Sequence, residues 1–355
     1  MQFARVYVIL LKKYGIIKFY GEIFPLKNNI INIMDKAFNK NEFRLSNQKV
    51  KIIIDTDPGV DDIACLIYAM NDENIEIELL TTVAGNLSLK KATRNLLHTL
   101  DLFNADYPVA TGATRALKRK SPTAEFIHSK EGLGGYIPPK TVKRTPNSND
   151  AVEEMYKTFM NGNGDIVPLM LGPVTNLALL LLKHPDVKTK IPKIVVMGGA
   201  PYGNKDYPEH TSFNLSTDPE AFKILLDSKI PILMCPSHMG RIRAHLEEEF
   251  VLDLQKQGEV GNFLYTMYSK YWEPNYPTKR ITTNDSCAMF ALVYPKIFQI
   301  KKATVTVDTD KFPGRTHIDF TENGNVEFID DLNKPAFLSL LLSELDDMKN
   351  IKLNM

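Results

Sequence analysis

Four aspartates crowd the run DTDPGVDD: Asp55, Asp57, Asp61 and Asp62. Carboxylates this close in sequence repel one another unless protons or a cation neutralise them. Their hard oxygen atoms suit Ca²⁺ or Mg²⁺ better than a soft metal. A purely structural origin, with Asp61 as a helix N-cap and Asp62 near the positive end of the helix dipole, explains two of the carboxylates and not four. The run therefore predicts a binding site for a divalent cation.

The flanking elements would bring these carboxylates to one place. Three consecutive isoleucines before Asp55 are typical of a buried strand, and the Pro-Gly pair that follows Asp57 ends it. Apolar residues then recur at helical spacing from Ile63 to Met70, which predicts a helix that begins at the last two aspartates. The carboxylates would thus lie at the carboxyl end of a strand.

Strands and helices alternate along the rest of the chain, which implies a mainly parallel sheet with helices on both faces. Ligands in such sheets bind beyond the carboxyl ends of the strands. The residues that follow the other predicted strands are therefore candidates for the same site: Asn86, Leu171, Met197, Ser237 and His238.

We predict an α/β fold in which residues 51–355 form a single domain. Its mainly parallel, Rossmann-like central sheet is covered by helices, and a small C-terminal β extension is indicated by the strand-like runs ATVTVD, RTHIDF and NVEFID. Residues 246–271 are expected to form a helix. Residues 1–50 form an N-terminal extension outside the domain, and Met34 offers an alternative start within it.

The segment 111–150 is rich in Gly, Pro, Lys and Ser and has little periodicity. A loop of that length in a compact domain is usually functional or mobile. It contains His128 in the run HSKEGLGG, which makes this histidine a further candidate for the site.

The run DTDPGVDD resembles the N-terminal signature of the nucleoside hydrolases, the inosine-uridine preferring family of calcium-dependent enzymes that cleave the N-glycosidic bond of ribonucleosides. HSKEGLGG is similar to a further segment of that family, and the resemblance extends from Lys51 to the C terminus. It implies a Ca²⁺ ion bound by Asp57, Asp62, Asp285 and the backbone carbonyl of Leu171. It also implies a ribonucleoside substrate, with Asp57 as the general base that activates water.

The same resemblance implies contacts with the substrate. Asp55 would support the metal ligands from behind. Tyr268, Trp272 and Tyr276 lie where the family's chain approaches the base, so they would stack on it. The residues matching the family's ribose pocket and its flanking SFN segment are Asp61, Asn86, Met197, Asn204, Ser212, Phe213 and Asn214.

Two positions depart from the pattern that the resemblance sets. Asn284 stands where many members have a histidine that protonates the leaving base, and Ser212 stands where many have a glutamate. The loss of a general acid costs roughly 10²–10⁴ in rate. A purine depends least on that acid when it leaves the sugar, so the two departures favour purine nucleosides as substrates. His128 and His238 are alternative acids.

The net charge and the cysteines restrict the possible partners and the cellular location. The formal net charge of +1 argues against a nucleic-acid or membrane partner held by bulk electrostatics. Three widely spaced cysteines in apolar surroundings indicate reduced thiols and a cytoplasmic protein. The resemblance implies a homodimer or homotetramer.

Two other functions stay open: a haloacid-dehalogenase-like phosphatase, in which an Asp after the first strand is the nucleophile, and a nucleoside-binding protein without catalysis.

Overall fold

The computed structural model describes residues 38–200, 211–271 and 279–354. Its regular elements alternate as the sequence predicts. The strands are β1 (Val50–Thr56), β2 (Ile75–Thr82), β3 (Val109–Thr111), β4 (Ile166–Met170), β5 (Ile194–Met197), β6 (Ile232–Cys235), β7 (Leu246–Glu247), β8 (Arg280–Ile281), β9 (Phe298–Val307), β10 (Thr316–Phe320) and β11 (Val326–Leu332).

Helices cover both faces of the sheet and connect its strands. They are α1 (Val60–Asn71), α2 (Leu89–Leu102), α3 (Glu125–His128), α4 (Ala151–Asn161), α5 (Thr175–Lys183), α6 (Phe213–Thr217), α7 (Pro219–Ser228), α8 (Glu248–Asp253), α9 (Gly258–Tyr268), α10 (Asn284–Val293) and α11 (Lys334–Asp347). A π-helical turn, Met239–Arg243, follows β6.

Nine strands form one sheet in the order β10-β9-β11-β6-β5-β4-β1-β2-β3. Pairing is parallel from β11 through β3, and β9 is antiparallel to both of its neighbours. The predicted fold class is therefore confirmed. The C-terminal β extension forms one edge of the main sheet, because β11 pairs in parallel with β6.

The centre of the sheet is fully buried, as expected for parallel strands covered on both faces. Ile52, Ile53 and Ile54 of β1 have no exposed surface. β1 lies between β4 and β2, so its carboxyl end meets those of both neighbours. The acidic run after β1 is thereby placed at the middle of the sheet edge where the parallel strands end.

The helix predicted for residues 246–271 is interrupted. β7, α8 and a short 3₁₀ turn precede α9, and Gly258 adopts a φ of +71° at the junction. A Cβ at this position would lie 2.2 Å from the carbonyl oxygen of Lys349, so the close approach of the C-terminal segment requires glycine.

Residues 39–355 form one compact unit. Residues 1–37 of the predicted extension lie outside the described residues, and the boundary at residue 50 stays a prediction. The three cysteines are buried and unbridged. Among the described residues, no helix is both long and apolar enough to cross a membrane.

Candidate active site

Asp62 organises the turn between β1 and α1. Its Oδ1 accepts hydrogen bonds from the hydroxyl of Thr56 at 2.5 Å and from the backbone N–H of Asp57 at 3.3 Å. Its Oδ2 accepts from the N–H of Gly59 and from the side-chain amide of Asn86, both at 3.0 Å. Four donors fix the orientation of this carboxylate and link the ends of β1 and β2.

Three acidic side chains meet next to this turn. Ligand atoms of Asp61, Asp62 and Asp285 all lie within 4.8 Å of one another, and all three residues are buried. Burial, and then the negative charge of Asp62, raises the pKa of Asp61 to about 7. Burial, and then the charges of Asp61 and Asp62, raises the pKa of Asp285 well above its usual value. Burial and mutual repulsion therefore disfavour ionisation of these carboxyl groups, and a bound cation would relieve that repulsion.

Asp57 adjoins the cluster and is also fully buried. Its Oδ2 accepts a hydrogen bond from the N–H of Asn86 at 2.5 Å, and its Oδ1 has no hydrogen-bond partner within the described ranges. Burial and the nearby charge of Asp62 raise its pKa well above the usual value. Two glycines leave room for this carboxylate, because a Cβ on Gly85 or Gly172 would lie 2.0 or 2.8 Å from one of its oxygens.

Asp55 is fully buried and lies deeper in the protein than the residues that line the site. Its Oδ1 accepts from the hydroxyl of Thr81 at 2.5 Å and from the side-chain amide of Asn176 at 2.7 Å. Burial raises its pKa to about 7 despite these hydrogen bonds. It does not line the pocket, and its contacts are those of a residue that joins β1, β2 and α5 beneath the site.

A pocket opens above the acidic cluster, at the carboxyl ends of the strands. Of the residues predicted from the sequence, eleven line it: Asp61, Asn86, His128, Leu171, Met197, Ser212, Phe213, Asn214, Ser237, Asn284 and Asp285. Tyr268 is 2% exposed and does not line it. Asn204, Trp272 and Tyr276 lie outside the described residues.

One wall of the pocket is built at the carboxyl ends of β4 and β5. The side-chain amide of Asn214 donates to the backbone carbonyls of Leu171 and Met197. The hydroxyl of Ser212 accepts a hydrogen bond from the N–H of Gly199 at 2.8 Å and also caps α6. This wall is polar, and the Leu171 carbonyl retains a second lone pair.

Another part of the pocket lining is aromatic. The ring of His128 stacks on Tyr271, with ring centroids 5.1 Å apart, and its Nδ1 accepts from the N–H of Val60. Burial lowers the pKa of His128 to about 4, so the ring is neutral near pH 7. The hydroxyl of Tyr271 lies 3.0 Å from that of Thr282. His238 does not line the pocket; it stacks on Phe328 instead.

Sequence reasoning missed several lining residues, among them Tyr271, Thr282 and Arg241. The aromatic cluster that begins at Tyr268 and continues through Tyr271 was the available signal for the first. Tyr271 lies beyond the end of α9, where helical spacing no longer predicts which side chain faces the ligand.

The fold and the pocket define an α/β protein that binds a small ligand above buried carboxylates, at the edge where parallel strands end. The chain belongs to the family described as inosine-uridine preferring nucleoside hydrolase, whose pattern matches residues 52–339. This membership excludes the alternative of a haloacid-dehalogenase-like phosphatase.

Individual relatives agree with that assignment. A protein of Klebsiella pneumoniae (strain 342) named non-specific ribonucleoside hydrolase RihC is 33% identical over 261 residues, which are 74% of this chain and 84% of that protein. The solved structure of a purine-preferring ribonucleoside hydrolase from Gardnerella vaginalis is similar with a TM-score of 0.77 and 27% identity, covering 85% of this chain and 99% of that one. The plant nucleoside hydrolase PpNRh1 is similar with a TM-score of 0.76 and 27% identity, covering 83% and 98%.

Proposed function

We propose that the protein hydrolyses the N-glycosidic bond of ribonucleosides in a calcium-dependent reaction that releases ribose and a free base, with a preference for purines. Family membership supports the reaction class. The observation that carries the proposal is the meeting of Asp61, Asp62 and Asp285 beneath the pocket, with their ligand atoms within 4.8 Å of one another.

The residues present fit a calcium ion. Calcium takes six to eight hard oxygen ligands, and the groups proposed to hold it all offer carboxylate or carbonyl oxygens. The raised pKa values of Asp57 and Asp285 are both features that a cation would relieve. In this proposal Asp57, Asp62, Asp285 and the carbonyl of Leu171 hold the ion. When bound, calcium supplies positive charge that attracts the ribose 2′- and 3′-hydroxyls and makes a coordinated water more acidic.

The chain's own residues hold the sugar. Asp61, a member of the acidic cluster, and Asn86 both line the pocket, where their oxygens can accept hydrogen bonds from ribose hydroxyls. Asn214 and Met197 form the wall along β4 and β5, which would face the rest of the sugar. Asn204 remains a proposed ribose ligand that lies outside the described residues.

Asp57 is the proposed general base. Its Oδ1 is the oxygen available to take the proton, because Oδ2 accepts from the N–H of Asn86. Cleavage of the glycosidic bond develops positive charge on the ribose, as in sugar hydrolysis through an oxocarbenium-like state. The surrounding carboxylates stabilise that charge, and their fixed hydrogen bonds mean that little reorganisation is needed.

The proposed preference for purines rests on the properties of Asn284, His128 and Tyr271. Asn284 cannot protonate a leaving base, and His128 is neutral near pH 7. The stacked rings of His128 and Tyr271 offer an aromatic surface for the base, and Trp272 and Tyr276 remain proposed stacking residues outside the described residues. A homodimer or homotetramer in the cytoplasm completes the proposal; light scattering would test the assembly and fractionation the location.

The decisive experiment measures ribose release from adenosine, inosine and uridine, with and without EDTA. We expect release that is faster for the purines, lost with the chelator and restored by Ca²⁺. Calcium-dependent nucleoside binding without any release would instead indicate a binding protein that has lost catalysis. Release that persists after complete removal of metal would contradict the proposal.

A further inference from the structure

Asn95 connects the turn between β1 and α1 (residues 57–59, the acidic turn) to the segment that carries His128. It lies on α2, has no exposed surface and donates two hydrogen bonds from its side-chain amide. One goes to the carbonyl of Pro58 in the acidic turn at 3.2 Å, and the other goes to the carbonyl of Glu131 at 3.0 Å. Because a single nitrogen atom binds both carbonyls, this amide fixes the separation between the two segments.

The amide of Asn95 is itself held in one orientation. Its Oδ1 accepts from Nε and Nη2 of Arg94 at 3.1 and 2.8 Å. Arg94 also donates to the side chain of Glu131 at 2.7 Å and to its carbonyl at 3.0 Å. A Cβ on Gly132 would lie 2.1 Å from Cδ1 of Leu87 and 2.9 Å from Nδ2 of Asn95, so the segment approaches more closely than a side chain at this position would allow.

Other side chains on α2 hold the same segment. Lys91 donates to the carbonyl of Lys130 at 2.6 Å, and Nε2 of His98 lies 2.8 Å from the hydroxyl of Tyr136. Positions three and four residues from Asn95 share its face of the helix, so these contacts flank those of the buried amide. Of these hydrogen bonds, only those of Asn95 reach the acidic turn as well.

The segment held in this way places His128. Its backbone closes on itself, because the N–H of Gly132 donates to the carbonyl of Ser129 at 3.0 Å and that of Gly134 donates to the carbonyl of His128 at 2.9 Å. These two hydrogen bonds span Glu131 on either side. A displacement of Glu131 is therefore passed on to His128.

The ring of His128 packs against the acidic turn on one side and against Tyr271 on another. A Cβ on Gly59 would lie 2.5 Å from its Nδ1, and that nitrogen accepts from the N–H of Val60 at 3.1 Å. We propose that Asn95 is a positioning residue, which sets the place of the His128 ring relative to the acidic turn. This inference rests on the proposed function, because it takes the ring of His128 as a surface for the base.

Placement of this ring matters because different segments hold the two halves of the substrate. The acidic cluster binds the ribose, and the rings of His128 and Tyr271 pack on the base. Cleavage requires both halves to be held in one geometry, and a misplacement of about 1 Å costs about 10²-fold in rate. Loss of the Asn95 amide frees the segment around Glu131, so the base is no longer held at the productive position.

The test is a double-mutant cycle of Asn95→Leu and His128→Ala in the full-length calcium-loaded enzyme, with kcat/KM for adenosine measured in each variant. Asn95→Leu keeps the side-chain size but removes the amide, and should lower kcat/KM at least roughly 10-fold. His128 takes no proton in the proposed reaction, so His128→Ala should keep measurable activity. With no ring left to place, the addition of Asn95→Leu to that variant should cost less than about threefold.

Calcium affinity provides a second readout. Four donors other than Asn95 hold the carboxylate of Asp62, so the metal site should keep its shape in Asn95→Leu. The affinity should stay within about threefold of wild type, well under the roughly 10–100-fold loss that removal of a support for a metal ligand causes.

Thr99→Val is the matched control. Thr99 is buried one turn further along α2, and its hydroxyl donates to the carbonyl of Asn95 within the helix at 3.0 Å. The variant alters the same helix but keeps the Asn95 amide, so kcat/KM should stay within about threefold of wild type. If Asn95→Leu does not fold, the partly exposed Arg94 carries the same cycle, and the loss caused by Arg94→Met should likewise disappear with His128→Ala.

Three results would overturn the inference and leave the proposed function intact. Wild-type kcat/KM in folded Asn95→Leu would show that the amide positions nothing. A loss of equal size with and without the His128 ring would show that it acts elsewhere. Calcium binding that is roughly 10-fold weaker in Asn95→Leu would show that it acts through the acidic turn. A wild-type enzyme that cleaves no ribonucleoside would overturn the proposed function, and this inference with it.

Discussion

Replacement of Gly85 by alanine adds a single methyl group and should slow catalysis strongly. A Cβ at this position would lie 2.0 Å from Oδ2 of Asp57 and 2.7 Å from Cδ of Pro173. Real Cβ contacts essentially never fall below 3.0 Å, so the Asp57 carboxylate would have to move by about 1 Å. A misplacement of that size costs about 10²-fold in rate. The expected loss in kcat is therefore about 100-fold, or roughly 2.7 kcal/mol in activation free energy.

The assay is steady-state ribose release from adenosine at saturating Ca²⁺, with thermal unfolding measured in parallel to show that the variant folds. Gly162→Ala is the control, since its added Cβ would meet the end of the Ile166 side chain at 2.7 Å and the carbonyl oxygen of Thr158 at 3.3 Å, and neither residue lines the pocket. We expect the control to retain kcat within about threefold, because its geometry at Asp57 is unchanged. A folded Gly85→Ala variant with wild-type kcat would refute the assignment of Asp57 as the positioned base.

Three further predictions concern stability, each measured by urea unfolding. Lys40→Met should lower the free energy of unfolding by about 3–5 kcal/mol. The Lys40 ammonium lies 2.6 Å from a carboxylate oxygen of buried Glu344 and 3.8 Å from one of Asp72, and its removal would leave both carboxylates without a compensating charge. A loss under about 1 kcal/mol would contradict this interpretation. Burial raises the pKa of Glu344 from 4.5 to about 7, so the folded chain binds more protons than the unfolded chain between these values. The free energy of unfolding should therefore fall as pH rises from 4.5 to 7, and Glu344→Gln should flatten that slope; an unchanged slope would refute it. Asp218→Ala should cost about 2–4 kcal/mol, because its carboxylate caps α7 and accepts from the N–H of Leu117 and the hydroxyl of Thr175; wild-type stability would show that water replaces these contacts.

The parts of the fold that local pattern dictates were predictable. The isoleucine run, the Pro-Gly turn and the helical spacing after Asp62 define β1 and α1 without knowledge of any distant residue. Alternation of strands and helices then implies the parallel sheet, and the strand ends imply where the pocket lies. Eleven predicted residues line that pocket because each follows from a strand end or from a segment shared with the family.

The rest depends on contacts between residues far apart in sequence. Gly258 breaks the predicted helix because the carbonyl of Lys349 packs against it, and no local pattern announces that approach. Tyr271 lines the pocket, whereas Tyr268 does not. The stacking of Tyr271 on His128 brings a segment that is distant in sequence to the end of α9. The compact triad of Asp61, Asp62 and Asp285 likewise depends on how α10 packs against α1.

The most direct test of the central claim is a calorimetric titration of Ca²⁺ into chelator-stripped protein, with Asp285→Asn as the comparison. If the distant carboxylates form one site, the stripped protein should bind about one ion per chain, and the variant should bind it at least roughly 10-fold more weakly. A stripped protein that takes up no calcium, or a variant that binds it as tightly as the wild type does, would contradict the account.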